Sequence, residues 1–279
     1  MGPSWPAALR GLLRLALGLA AVLALQGCAA PSPPPTRTLT LQLAPEGRTV
    51  TVDVHAPAGQ VRGAAVLSHG FTRSRTTLAG HAQALATDGV LALTVDLPYT
   101  FDFERNALAL GDLVGRLRRT GTFGAPVDRV ILIGFSAGGL SSLLAAHTEG
   151  VAGYVGLDPF DRLNRDRGGA LGLEAAPQVR VPTLLLRAPP SSCNAQSVAA
   201  PWAGALSGLE SDEIIAGASH CDFESPTDRV CQWACGGTDP IRQRLIEQRL
   251  REAARRWMPD VPPASVPATD ASSPKTPRP

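Results

Sequence analysis

The sequence has almost no lysine and no strong excess of either charge. Its 26 Lys and Arg residues nearly balance its 24 Asp and Glu residues, and Lys275 is the single lysine. The formal charge of +2 falls to zero if the chain is cleaved before Cys28, because Arg10 and Arg14 leave and no acidic residue precedes the cysteine. Binding to nucleic acid usually needs a clustered basic surface. We therefore expect no nucleic-acid partner.

The sequence also lacks a C-x-x-C pair and any internal repeat. A zinc site is thus only a weak alternative, because structural zinc usually takes cysteines at that spacing. Roughly 220 residues lie between two proline-rich ends, which is enough for one domain with a sizeable core.

The N-terminus is typical of an export signal. A basic start precedes an apolar run, Leu15 to Leu25, that is too short to span a bilayer comfortably. The run ends at Leu25-Gln26-Gly27-Cys28-Ala29, which resembles the bacterial lipobox. This resemblance implies a lipid-modified Cys28, and Ala29 after it resembles lipoproteins of the outer membrane. An ordinary secretory signal with a chance cysteine is the alternative.

We therefore divide the chain into four parts. Residues 1–27 are predicted as the signal peptide, 28–37 as a Pro-rich tether, 38–258 as the folded domain and 259–279 as a disordered Pro-rich tail. The expected location is the bacterial cell envelope, with a lipid anchor in the outer membrane and the domain facing the periplasm.

The remaining cysteines agree with export. Four cysteines remain after Cys28, and this even number favours two disulfides in an oxidising compartment, with three possible connectivities. Two of them are one helical turn apart, which favours pairing of each with another segment. The disulfide candidates are Cys193, Cys221, Cys231 and Cys235.

Hydrophobic periodicity alternates between strand-like and helix-like along the domain. Predicted strands are Thr38–Leu43, Thr49–His55, Ala64–Ser68, Val90–Val95, Val130–Ile133, Gly153–Leu157, Thr183–Leu186 and Glu213–Ala216. Predicted helices are Thr77–Ala86, Asn106–Arg119, Leu140–His147 and Ile241–Trp257. This order predicts an α/β fold, with a mostly parallel sheet, helices on both faces and an antiparallel N-terminal hairpin. Reactive loops then lie at the carboxyl ends of the strands.

The segment Gly134-Phe135-Ser136-Ala137-Gly138-Gly139 carries the G-x-S-x-G pattern between a predicted strand and a predicted helix. A serine hydroxyl is a poor nucleophile unless it stands clear of the sheet, beside a base and backbone N–H donors. Ser136 is therefore the predicted nucleophile.

A base is expected in a loop after a late strand. Of the five histidines, only His220 occupies such a position. His69 precedes Gly70 in an earlier loop, where a structural role is favoured, and His81 falls in a predicted surface helix. His220 is the predicted base.

The orienting acid is less obvious, because the loop after Thr183–Leu186 contains no carboxylate. One strand earlier, Asp158 follows Leu157 at a strand's carboxyl end. Asp158 is the predicted acid that holds the imidazole tautomer. Asp161, three residues later, is the rival.

The oxyanion of an acyl-transfer reaction needs two backbone donors. The G-x-S-x-G pattern assigns one to the N–H of Ala137, directly after the nucleophile. The other is expected in the loop after Ala64–Ser68, where Gly70 permits close approach and Phe71 supplies the N–H.

Together, His69-Gly70-Phe71, Gly134–Gly139, Leu157-Asp158-Pro159 and Ser219-His220 resemble the α/β-hydrolases. The early acid resembles the chlorophyllase, platelet-activating-factor acetylhydrolase and dienelactone-hydrolase-like branch, although a dienelactone-hydrolase pattern would have cysteine at 136. The loops around Gly70 and His220 also resemble bacterial cutinase-type polyester hydrolases, from which the chain departs by lacking the late acid.

The resemblance implies a serine esterase that acts on a small-molecule or lipid-like ester and needs no metal and no organic cofactor. The alternative is a non-catalytic envelope or binding lipoprotein that keeps the fold without the activity, because function depends on the site.

Overall fold

A computed structural model describes residues 35–119, 121–164 and 169–259. The predicted signal peptide, the predicted lipid-anchor residue Cys28, most of the tether and all but the first residue of the predicted tail lie outside the described residues. No helix in the described ranges is long and apolar enough to cross a membrane.

Strands and helices alternate through most of the described chain. The strands are β1 Thr36–Leu43, β2 Arg48–His55, β3 Gly63–Ser68, β4 Val90–Val95, β5 Val130–Phe135, β6 Val151–Leu157, β7 Leu163–Asn164, β8 Gly169–Ala170, β9 Thr183–Arg187 and β10 Leu209–Ile214. The α-helices are α1 Ala79–Thr87, α2 Phe103–Leu117, α3 Ala137–Ala145, α4 Leu171–Ala175, α5 Arg229–Cys235 and α6 Pro240–Trp257.

Eight of the strands form one sheet in the order β1-β2-β4-β3-β5-β6-β9-β10. Pairing is antiparallel between β1 and β2 and between β2 and β4, and it is parallel from β4 to β10. The predicted α/β class, with its antiparallel N-terminal hairpin, is confirmed.

Alternating side chains of the central strands supply two cores. In β3, Val66 packs with α2 and α3 on one face of the sheet, whereas Leu67 packs with α1 and α6 on the other. Because successive residues of a strand point to opposite faces, a fully buried strand such as β3 is covered on both sides. The parallel strands therefore bring their carboxyl ends, and the loops that follow, to one edge of the sheet.

The last strand of the sheet lies earlier than predicted. The sequence favours Glu213–Ala216, but β10 spans Leu209–Ile214. An edge strand can carry charged side chains. Here Asp212 of β10 forms a bidentate ion pair with Arg187 of β9. Apolar periodicity is therefore absent where the strand begins.

Helix α5 was not predicted from the sequence. It has seven residues, is largely exposed and begins at Asp228, whose side chain accepts a hydrogen bond from Cys231 N. A helix of seven residues is too short for hydrophobic periodicity, which is assessed over roughly 11–18 residues, to reveal it.

Candidate active site

Ser136 lies at the turn between β5 and α3 with a strained backbone. Its φ of 52° and ψ of −119° are rare for a residue with a side chain. The turn is closed by hydrogen bonds from Ser136 N to Leu157 O and from Phe160 N to Ser136 O. A strained serine on a strand-to-helix turn is the geometry that holds a nucleophilic hydroxyl above a sheet.

The glycines around Ser136 are required by close backbone packing. A Cβ added at Gly134 would collide with Gly138 O, and one added at Gly138 would collide with Ser68 O. One added at Gly70, in the loop after β3, would lie 3.0 Å from Ser136 Cβ. The turn is therefore fixed by backbone contacts with β3 and its following loop.

Asp158 and His220 form a short, buried hydrogen bond. The distance from His220 Nδ1 to Asp158 Oδ2 is 2.6 Å, and both residues are buried. The other carboxylate oxygen, Oδ1, accepts from Ala188 N at 3.0 Å and Asn194 Nδ2 at 3.2 Å. The carboxylate is thus held from one side while it orients the imidazole from the other.

Asp161 is equally buried but serves another part of the fold. Its carboxylate accepts from the backbone N–H groups of Gly172 and Leu173 and from Trp202 Nε1 at 2.6 Å. These bonds hold the start of α4 and the Trp202 ring. Of the two predicted acids, Asp158 is therefore the one that contacts His220.

Ser136 and His220 line the same cavity. Among the described residues no hydrogen bond joins Ser136 Oγ to the imidazole, whose Nδ1 is bonded to Asp158. The Phe135 ring packs against the imidazole with centroids 4.6 Å apart. Hydrogen bonds of catalytic groups are often long in ligand-free structures and shorten when substrate binds.

The two predicted oxyanion donors remain available. Within the described ranges, neither Phe71 N nor Ala137 N donates to another protein group. The Phe71 loop is held by His69, whose Nδ1 lies 2.8 Å from Gly70 O and whose Nε2 accepts from Leu97 N at 3.0 Å. Burial lowers the pKa of His69, which favours the neutral ring that these two bonds need. His69 thus positions the loop, as the sequence favoured.

An ion pair that sequence analysis missed ties the His220 loop to the Phe71 loop. Glu224 is fully buried and binds Arg73 through two contacts, Nε to Oε1 at 2.6 Å and Nη2 to Oε2 at 2.7 Å. Arg73 also reaches Asp228, the N-cap of α5, at 3.0 Å. No local motif marks these residues, since the partners are far apart in sequence.

Helix α1 packs against the His220 loop, and this contact buries His81 of the predicted surface helix. His81 is 1% exposed, and its Nε2 lies 3.1 Å from Phe223 O. The neighbouring Gly80 N donates to Ser225 O, so the helix packs its backbone directly on the loop. Burial lowers the pKa of His81 to about 4.

The four cysteines form two disulfides, and the structure selects one of the three connectivities. Cys193 pairs with Cys235, and Cys221 pairs with Cys231. Both bonds end on α5. They attach this helix to the loop after β9 and to the His220 loop.

These sulfurs cannot also serve as metal ligands. Cys221, Cys231 and Cys235 lie with their sulfurs within 4.8 Å of one another. A metal binds a thiolate, whereas each of these sulfurs is in a disulfide.

Two cavities flank the Phe71 side chain. The larger cavity, of about 360 Å³, is lined by residues 69–74, 96, 97, 99, 100, 103, 106 and 137. The smaller, which we call the α5 cavity, has about 220 Å³ and is lined by residues 71–73, 135, 136, 193, 220, 230, 231, 234 and 235. Ser136 and His220 border only the α5 cavity, whereas Ala137 borders only the larger one.

Aromatic side chains are concentrated beside the larger cavity. Of the seven phenylalanines in the chain, Phe71 contacts three others, with ring centroids 5.3 to 5.7 Å apart. Those partners are Phe101, Phe103 and Phe160. Phe71 and Phe103 therefore give the larger cavity an apolar wall, while Arg73, Asp96 and Asn106 make other parts of its lining polar.

No family model and no curated protein matches the sequence. Solved structures do match the fold. A dienelactone hydrolase from Anabaena variabilis is 22% identical, with a TM-score of 0.61 over 81% of this chain and 99% of that chain. The esterase domain of a Rhodothermus marinus protein is 18% identical, with a TM-score of 0.58 over 80% and 99%.

Est1E from Butyrivibrio proteoclasticus is 16% identical, with a TM-score of 0.55 over 78% of this chain and 98% of that chain. At these identities the likeness concerns the fold. The chain has the α/β-hydrolase fold, and its structural neighbours include a dienelactone hydrolase and esterases.

Proposed function

We propose that the protein is a serine hydrolase that cleaves carboxylic esters through Ser136, His220 and Asp158. The observation that carries the proposal is the buried 2.6 Å bond between His220 and Asp158 at a cavity that also contains a strained Ser136. The structural neighbours with esterase or hydrolase names support the same class of reaction.

In the proposed reaction, His220 Nε2 takes the proton of Ser136 as Oγ attacks the acyl carbon. Asp158 keeps a proton on His220 Nδ1 and stabilises the imidazolium that forms. The N–H groups of Phe71 and Ala137 stabilise the oxyanion. The tetrahedral intermediate collapses, His220 protonates the departing alcohol, and water then hydrolyses the acyl-enzyme by the same route.

The substrate is proposed to be a small-molecule or lipid-like ester. Both cavities are bordered by the apolar Phe71 side chain, and the larger cavity is also bordered by Phe103. This reaction needs neither a metal nor an organic cofactor.

Replacing the nucleophile tests the proposal. Ser136→Ala should abolish turnover of short nitrophenyl esters and labelling by a fluorophosphonate probe, while the circular dichroism spectrum stays unchanged. Ser141→Ala is the matched control, because Ser141 lies in α3, the helix that follows Ser136, with a buried hydroxyl that has no partner among the described residues. Full turnover by Ser136→Ala would exclude the mechanism. An unmodified protein that is neither labelled nor active would instead favour the non-catalytic envelope lipoprotein.

We also propose that a lipid on Cys28 anchors the protein to the outer membrane, facing the periplasm. The two disulfides of the domain support an oxidising compartment. Mass spectrometry of the N-terminal peptide should find acyl chains on Cys28, and Cys28→Ala should move the protein from the membrane fraction to the soluble one. An unmodified N-terminus elsewhere in the chain would point to the ordinary secretory signal.

A further inference from the structure

The α5 cavity is bounded by both catalytic side chains and by a helix that sequence analysis did not anticipate. Val230 and Ala234 of α5 line it, together with Ser136 and His220. The two residues are four positions apart, so they share one face of the helix. Val230 is 68% exposed and lies at the mouth of the cavity.

The chemistry of ester cleavage distinguishes the two cavities. A departing alkoxide must receive its proton from His220, so the alcohol part of an ester has to lie within reach of that ring. His220 borders the α5 cavity and not the larger one. The carbonyl oxygen must face Ala137 N, and Ala137 borders the larger cavity.

Resting on the proposed function, we propose that the α5 cavity binds the alcohol part of the substrate and that Val230 and Ala234 limit the size of that alcohol. The acyl part then extends along the larger cavity beneath Phe103. Phe71 separates the two arms, since it borders both cavities.

The lining selects an uncharged, apolar alcohol. Phe71, Phe135, Val230 and Ala234 present hydrocarbon to the cavity, and its one charged side chain, Arg73, is already paired with Glu224 and Asp228. The volume of about 220 Å³ exceeds the roughly 150 Å³ of an apolar cavity that admits benzene. An alcohol with one ring therefore fits.

The test compares two series of esters on purified protein. One series holds the acyl group constant, as acetates of methanol, butanol and benzyl alcohol. The other holds the alcohol constant, as methyl esters of acetic, butyric and phenylacetic acid. Hydrolysis is followed by acid release, so neither series needs a chromophore.

Val230→Phe and Ala234→Phe should each lower kcat/KM for benzyl acetate relative to methyl acetate by about tenfold or more, because the added ring occupies the cavity. Relative rates along the methyl ester series should not change. Arg229→Phe adds the same ring to an exposed position of α5 outside the cavity lining and should leave both series as they are.

A penalty that instead grows along the methyl ester series would assign the α5 cavity to the acyl part and overturn the proposal. Unchanged ratios in both series, with fluorophosphonate labelling retained, would show that neither arm uses the cavity. In both cases the esterase activity itself would stand. Failure of the unmodified protein to hydrolyse any of these esters, together with absence of fluorophosphonate labelling, would remove the proposed function as well as this assignment.

Discussion

The two halves of the candidate site are held by different forces. Ser136 lies over the centre of the sheet, where β3, β5 and the start of α3 touch through glycine backbones. His220 follows β10, the edge strand, and its loop is held by a disulfide, a buried ion pair and a histidine–carbonyl contact. The nucleophile is thus positioned by backbone packing, whereas the base is positioned by packing and by cross-links together. Phe223 of the His220 loop is fully buried in the second core, so the disulfide and the ion pair add to packing there.

The largest loss of stability is expected at a glycine whose surroundings leave no room for a Cβ atom. Gly138→Ala should prevent accumulation of soluble folded protein or cost several kcal/mol, because the new Cβ would collide with the backbone at Ser68. Gly204→Ala is the control, since no atom lies within 4 Å of a Cβ added there. Chemical denaturation of both variants measures the difference. Equal midpoints would refute packing as the force that holds the nucleophile.

The buried ion pair should give the next largest effect. Glu224→Gln leaves the Arg73 side chain, which is 12% exposed, with only Asp228 as a charged partner, and we expect a loss of about 3–5 kcal/mol in unfolding free energy. The exposed pair Arg118–Glu149, with Glu149 86% exposed, is the control. Glu149→Gln should cost at most about 1 kcal/mol. If the two variants unfold alike, the ion pair is not what holds the base.

Loss of the disulfide in the His220 loop should lower ester turnover much more than it disturbs the sheet. Cys221→Ser combined with Cys231→Ser should lower ester turnover by roughly ten- to a hundredfold through displacement of His220, with a much smaller change in the far-ultraviolet circular dichroism of the sheet. Reductant on the unmodified protein should do the same. The pair Cys193→Ser and Cys235→Ser should affect turnover less, because it leaves the His220 loop tethered. Turnover that ignores reductant, with both disulfides verified as broken, would contradict this.

The smallest expected effect is the dependence of the unfolding free energy on pH through His81. The pKa of His81 is about 4 in the folded protein and 6.5 for the free side chain, so the unfolded chain binds more protons between these values. The contribution of the neutral ring to stability is therefore present above pH 6.5 and is lost as the pH falls toward 4. At about 1.36 kcal/mol per pKa unit the loss is at most roughly 3 kcal/mol. His81→Gln should flatten the unfolding free energy over this window, and an unchanged slope would assign the dependence elsewhere.

The contrast between local patterns and contacts made by distant parts of the chain explains what could be predicted from the sequence. Seven of the eight strands of the main sheet, the four predicted helices and the position of Ser136 follow from local patterns, because each is encoded within a few neighbouring residues. The edge strand β10 lies earlier than predicted, and the two-residue strands β7 and β8 are not predicted. The local pattern favours Asp158, which directly follows a strand, and leaves Asp161 as a rival three residues later. The tertiary contacts with His220 and Trp202 show which of the two carboxylates contacts the imidazole.

The contacts that hold the His220 loop could not be predicted from the sequence, for a related reason. Arg73 and Glu224, and likewise Cys193 and Cys235, meet only after the chain has folded. Helix α5 is too short, at seven residues, for a periodic pattern to reveal it. The burial of His81 could not be predicted either, because a helix in isolation does not show which loop will cover one of its residues. Here the loop that carries Phe223 does so.

Helix α5 is joined to the domain mainly at its cysteines, which makes it a natural insertion point for engineering. The stretch between Cys231 and Cys235 could be exchanged for longer or differently shaped inserts that end in the same two residues. Such a library would vary the rim of the cleft and leave the eight strands untouched. A protein in which only this segment varies can acquire new substrate selectivity while its sheet stays unchanged.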